Sequence, residues 1–192
     1  MHTGVDYGSK TAGTTVVAHW DGDALRFFAS KKGQDADAWL LERLPALKAS
    51  TVFFDAPLSL PGVYRDLDSY DDYFYRDADR ALKAMSPMFL GGLTARAMRL
   101  RVNLQKSGVT LQETYPGWQA RRLELKALDY KGKKASIAPV LAVIDQHFPF
   151  EIPTSLPDWH HVDSLLAMLG SIRFEQKAYE QFGKAIEGIV IV

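Results

Sequence analysis

Three short apolar runs of this chain end on, or carry, an acid. Asp6 follows Gly4-Val5, Asp55 follows Val52-Phe53-Phe54, and Glu113 lies within the run VTLQETYPG. A carboxylate at the end of a buried strand gives up hydration and needs compensation. Taken singly, each acid is explained as well by a turn cap. Brought together, they would repel one another unless a cation lay between them. Oxygen ligands of this kind suit magnesium or manganese (Mg2+ or Mn2+). A fourth acid stands in His160-His161-Val162-Asp163, where His160 and Asp163 share one helix face. Val162, Leu165, Leu166 and Leu169 supply the apolar side that would pack on a sheet. His160 can bind a metal, shuttle a proton or steady a neighbouring acid. On its own, the histidine pair reads better as an exposed helix start capped by Asp158.

The loop after Asp6, GSKTAGTT, is small and polar, with Lys10 as a charge partner for a phosphate. It lacks the Gly-Lys-Ser/Thr spacing of a Walker A loop. Charge is segregated further along. Residues 55–79 hold seven acids (Asp55, Asp66, Asp68, Asp71, Asp72, Asp77 and Asp79), and residues 96–134 hold ten bases, among them Lys131, Lys133 and Lys134. An acidic cluster beside a basic stretch suits a metal site handling a phosphate backbone. On charge alone, two solvated helix faces explain it better. Trp20, Trp39, Trp118 and Trp159, with Tyr70, Tyr73, Phe74 and Tyr75, have the faces to stack bases. The Tyr/Phe run is better read as packing a helix onto the core.

The elements that must position these residues follow from pattern. Residues 4–7, 14–19 and 24–29 read as a three-stranded antiparallel meander, with Asp21-Gly22-Asp23 as a hairpin signal. Residues 37–47 have helical spacing, with Pro45 set to end or kink the helix. Residues 51–55 form a short buried strand. Helices are predicted over 73–84, 93–106, 118–128, 137–147 and 158–182, and strands over 109–115 and 189–192. Pro57 and Pro61 bracket a stiff loop, and Pro149, Pro153 and Pro157 mark a connector. This order gives a mixed α/β sheet.

The 192 residues suit one domain over 1–192. With 47% hydrophobic and 24% charged residues the chain is too apolar for disorder. The absence of cysteine excludes disulfide scaffolds, thiolate metal sites and cysteine nucleophiles. A formal net charge of zero argues against a generic polyanion binder, but leaves room for a local basic face. With neither a signal-like leader nor an apolar stretch long enough to span a bilayer, the expected location is cytoplasmic, with no membrane partner.

In that order along the chain, GVDYGSKTAGT, FFDAPLSLP, QETYPG, HHVDSLLAMLGS and EGIVIV resemble a family of predicted nucleases with the RNase H fold, of the domain-of-unknown-function type. The first motif and the His-x-x-Asp pair also resemble those of RuvC-type Holliday-junction resolvases. The resemblance spans nearly the whole chain. It implies an RNase H-like mixed five-stranded sheet, three strands antiparallel and then two parallel, flanked by helices. It also implies a carboxylate site for divalent metal: Asp6 as the central bridge, Asp55 and Asp163 as further ligands with His160 beside them, and Glu113 as a weaker candidate ligand. Arg76 and Arg80 would contact phosphate. Ser164 stands where relatives more often have alanine. The connection over 62–88 is longer than a minimal one, so a helical insertion is expected around 62–106.

The chemistry expected is phosphodiester hydrolysis of nucleic acid, DNA or RNA, assisted by two metals roughly 3.5–4 Å apart. Lys10, Lys133 and Lys134 would neutralise phosphate charge. Two alternatives stand beside it. One is a non-catalytic module of the same fold that binds nucleic acid or protein. The other is a phosphotransferase of the actin and hexokinase class, whose first phosphate loop also follows an acid-ending strand. That class needs two such domains, and only one fits here.

Overall fold

β-branched and aromatic runs build the sheet, and acids end three of its strands, at Asp6, Asp55 and Glu113. In the computed structural model, which describes residues 1–65 and 69–192, the strands are β1 (His2–Asp6), β2 (Val16–Trp20), β3 (Leu25–Ala29), β4 (Thr51–Asp55) and β5 (Thr110–Glu113). Their order is β3-β2-β1-β4-β5. β1–β2 and β2–β3 pair antiparallel, and β1–β4 and β4–β5 pair parallel. This mixed five-stranded sheet flanked by helices is the one expected from the sequence. The β2–β3 turn is closed by Asp21, whose carboxylate accepts from the N–H groups of Asp23 and Ala24 at 2.9 Å.

Strand alternation sends side chains to two different layers. Val5, Tyr7, Val52, Phe54 and Leu111 enter one core with α1 (Ala36–Ala46) and a long helix, Gly92–Lys106. On the other face lies the last long helix, Trp159–Glu175, with the helices Pro116–Arg122 and Ile137–Asp145 outside it. The helices after α1 are α2 (Asp77–Leu82), α3 (Pro87–Leu90), α4 (Gly92–Lys106), α5 (Pro116–Arg122), α6 (Ile137–Asp145) and α7 (Trp159–Glu175). Gly4 lets α7 lie hard against β1, since a Cβ there would overlap the backbone of Ser164 and Met168. The Ser164 hydroxyl turns inward along α7 and donates to the His161 carbonyl at 2.8 Å.

Several elements are shorter than the pattern suggests, each for a local reason. The helix expected over 73–84 is α2 alone. Asp72 accepts from the N–H groups of Phe74 and Tyr75, holding them in a turn before the helix. Tyr73 and Phe74 are accordingly exposed, not packed on the core. The helix over 118–128 breaks at Glu124, which has a left-handed backbone, and a 3-10 turn follows. The helix over 158–182 ends at Glu175, before left-handed Lys177. The chain then forms β6 (Gln181–Phe182), which pairs with β7 (Val190–Ile191) in a separate two-stranded sheet. Within the insertion expected at 62–106, α3 is an element the pattern did not reveal. Asp66 and Asp68 of the acidic run lie outside the described residues. Among the described residues, no helix is long and apolar enough to cross a membrane.

Candidate metal centre

Register decides which acids meet. Asp6 and Asp55 are direct partners across the parallel β1–β4 pair. Their backbones therefore stand about 4.8 Å apart, with both side chains on one face. That face is the α7 face, because Gly4 and Phe53, two residues earlier on each strand, lie against α7. Asp163, on the first turns of α7, completes a group of three. His160, one turn earlier, places its Nδ1 2.8 Å from Asp6 Oδ2. Asp158 caps the helix by accepting from the His161 N–H at 3.1 Å, which fixes the start of this turn.

The electrostatics of the three acids are unbalanced. Burial, then the charges of Asp6 and Asp163, push the Asp55 carboxyl well above its ordinary range. Burial foremost, with Asp6 adding to it, raises Asp163 against the opposing pull of Lys131. Lys131 Nζ stands 2.7 Å from Asp163 Oδ2, and the Tyr130 hydroxyl donates to the other oxygen. The ammonium of Lys131 is held above its usual value, because Asp163, Asp55 and Asp6 outweigh the burial that opposes its charge. The imidazole of His160 is also raised, chiefly by its hydrogen bond to Asp6. One lysine and one half-exposed histidine thus face three carboxylates.

The other expected site residues lie elsewhere. Glu113 faces the opposite side of the sheet, because its register partner is Phe54 and not Asp55. Its two oxygens accept from Arg76 at 2.6 and 2.8 Å, and one also accepts from the Leu58 N–H at 2.8 Å. Glu113 is therefore an ion-pair partner of Arg76, and it is not brought to the face that carries Asp6 and Asp55. Arg76 is 1% exposed and bonds Glu113, Asp79 and Ser59, so it offers no surface to a phosphate. Arg80 is exposed, paired with Asp72 and laid over the Tyr75 ring. Lys10 pairs with Asp35 at 3.0 Å, on the surface. Lys133 and Lys134 are exposed on the 3-10 turn before α6. The tryptophans are occupied by the fold: Trp39 is buried, Trp20 stacks on Phe150, Trp118 meets Phe182 edge-on and Trp159 meets Tyr130 edge-on.

No family model, no curated protein and no solved structure matches this chain.

Sequence reasoning left Tyr130 and Lys131 unassigned, although both bind Asp163. The only signal for Lys131 was its place in the basic stretch. A cavity of about 330 Å3 opens beside Asp55 and Lys131, walled by Tyr7, Leu90, Leu93 and Tyr115. Among the described residues, no three carboxylate or imidazole groups already form a ligating cluster. The donor set itself fits a hard divalent cation: three carboxylates, partly desolvated, on two strands and a helix, with a histidine orienting one of them.

Proposed function

We propose that the chain is a divalent-metal-dependent hydrolase of phosphodiester bonds in nucleic acid. The observation that carries this reading is the convergence of Asp6, Asp55 and Asp163 with less positive charge around them than they need. Magnesium or manganese would supply the missing charge, polarise a phosphodiester and lower the pKa of a water. Asp6 is the cross-strand partner of Asp55 and is steadied by His160. Asp55 must lose the proton that burial favours. Asp163 would exchange its bond to Lys131 for the cation, which leaves the ammonium to meet a phosphate oxygen. The cavity beside Asp55 gives the flanking nucleotide a partly apolar wall.

The test is cleavage of end-labelled single-stranded, double-stranded and branched DNA, and of RNA, with manganese or magnesium. The parent should cut at least one substrate, and Asp6→Asn should cut none while keeping its circular dichroism spectrum. Equal cutting by the variant, or no cutting by the parent with either metal, overturns the assignment. A second reading rests on Lys131, whose ammonium already neutralises Asp163. In that reading the protein is a non-catalytic module, and manganese leaves its melting temperature unchanged.

A further inference from the structure

Ten residues beyond Asp163, about 15 Å along α7, a second charged cavity opens, with a volume of about 360 Å3. Arg122, His147, Arg173 and Gln176 contribute its polar wall. Arg173 is only 9% exposed, and its Nη1 is buried with no hydrogen-bond partner among the described residues. The nearby carboxylate, Glu180, is already paired with Arg122. Burial, and then the neighbouring Arg122, hold the Arg173 guanidinium below its ordinary pKa. Burial, Arg173 and Arg122 likewise lower His147. The imbalance here is the reverse of that at the carboxylates: buried positive charge with too little negative charge around it.

A buried guanidinium with a free donor is costly to keep, unless an anion fills the gap. We infer that this cavity binds a phosphate group, held by Arg173 with Arg122 and His147 as additional donors. The Arg122–Glu180 pair has no net charge, so Arg173 supplies one net positive charge, and a histidine that protonates on binding supplies a second. The planar fork of arginine also suits tetrahedral oxyanions. The site is separate from the carboxylate centre and stands without it.

Inorganic phosphate is the probe. At ten times its dissociation constant it should raise the melting temperature by roughly 3–6 °C, with chloride at equal ionic strength giving no such rise. Arg173→Gln should lose the shift, Arg122→Gln should weaken it, and the His147 imidazole resonance of the parent should move to a higher pKa as phosphate is added. Arg173→Gln removes an uncompensated buried charge, so it should fold at least as well as the parent. An equal shift in Arg173→Gln, or none in the parent, overturns the proposal. Competition by an unphosphorylated tetranucleotide would assign the site to a nucleic-acid backbone. Competition only by phosphomonoesters would assign it to a free phosphorylated ligand. Because these readouts need no cleavage, they can fail or succeed independently of the nuclease reading.

Discussion

Two groups of buried acids lie near the same edge of the sheet, and they are handled in opposite ways. Glu113 and Asp79 share Arg76, whose guanidinium donates to both and to Ser59. Those hydrogen bonds and charges outweigh burial and hold Arg76 above its ordinary pKa. Next to this cluster, the Glu187 carboxylate accepts from the N–H groups of Gly62 at 2.6 Å and Asp77 at 3.0 Å, tying the segment after β4 to the start of α2 and to the C-terminal hairpin. Every acid there has a partner within the fold. Asp6, Asp55 and Asp163 instead face one another, and Asp55 and Asp163 are pushed towards protonation. Acids that serve architecture are neutralised by the chain. Acids kept short of countercharge have an unmet need, which the proposed divalent cation would answer.

The contrast is sharpest in its sign. Arg76→Met should cost about 3–5 kcal/mol, because it strands two buried carboxylates, and urea unfolding would read that loss directly. If it costs under about 1 kcal/mol, the cluster is not the anchor described. His160→Gln should leave stability nearly intact, yet weaken manganese binding by roughly 10–100-fold by releasing Asp6; isothermal calorimetry measures it, and an unchanged affinity removes His160 from the site.

Asp55→Asn should move the other way from Arg76→Met. Without metal near about pH 8 it should gain on the order of 1 kcal/mol, since one of three repelling charges disappears. It should also lose its response to manganese. The pH dependence has the same logic. A carboxyl whose folded pKa lies above its unfolded value of 3.8 binds the proton more tightly in the native state. Its contribution is present at low pH and is lost as pH rises from there through the raised folded value. Manganese bound there would expel those protons, so the melting-temperature gain from manganese should be larger at about pH 8 than at about pH 5. A gain independent of pH would place the ion elsewhere. Lys10→Ala should matter least, under about 1 kcal/mol, because its pair with Asp35 is exposed. A large drop in cleavage by this variant would return Lys10 to the substrate path.

The meander, β4 and α7 were legible because their signals are local: β-branched runs, an Asp-Gly turn, and an apolar stripe behind a capping Asp158. Asp6 and Asp55 were legible as acids at the ends of apolar runs, and Asp163 by its spacing to His160 on one helix face. Glu113 looked the same in sequence, yet it faces the other way. The difference is one residue of register against β4, which no local pattern records. Arg76 was expected to contact phosphate, and its burial was hidden because its partner Glu113 is 37 residues distant. The helix expected at 73–84 failed at Tyr73, Phe74 and Tyr75, where spacing looked helical but the Asp72 side chain captures the backbone. Tyr130 and Lys131 reach Asp163 from a turn beyond α5, a contact made by tertiary folding alone.

In the proposed function Asp6, Asp55 and Asp163 share a divalent ion. A crystal soaked in manganese tests it most directly, through the anomalous scattering of the metal. The expected result is an anomalous peak ligated by oxygens of all three side chains, with the Lys131 ammonium displaced from Asp163. A map with no peak among them, or with Lys131 still bound to Asp163 and manganese only on surface acids, would contradict it.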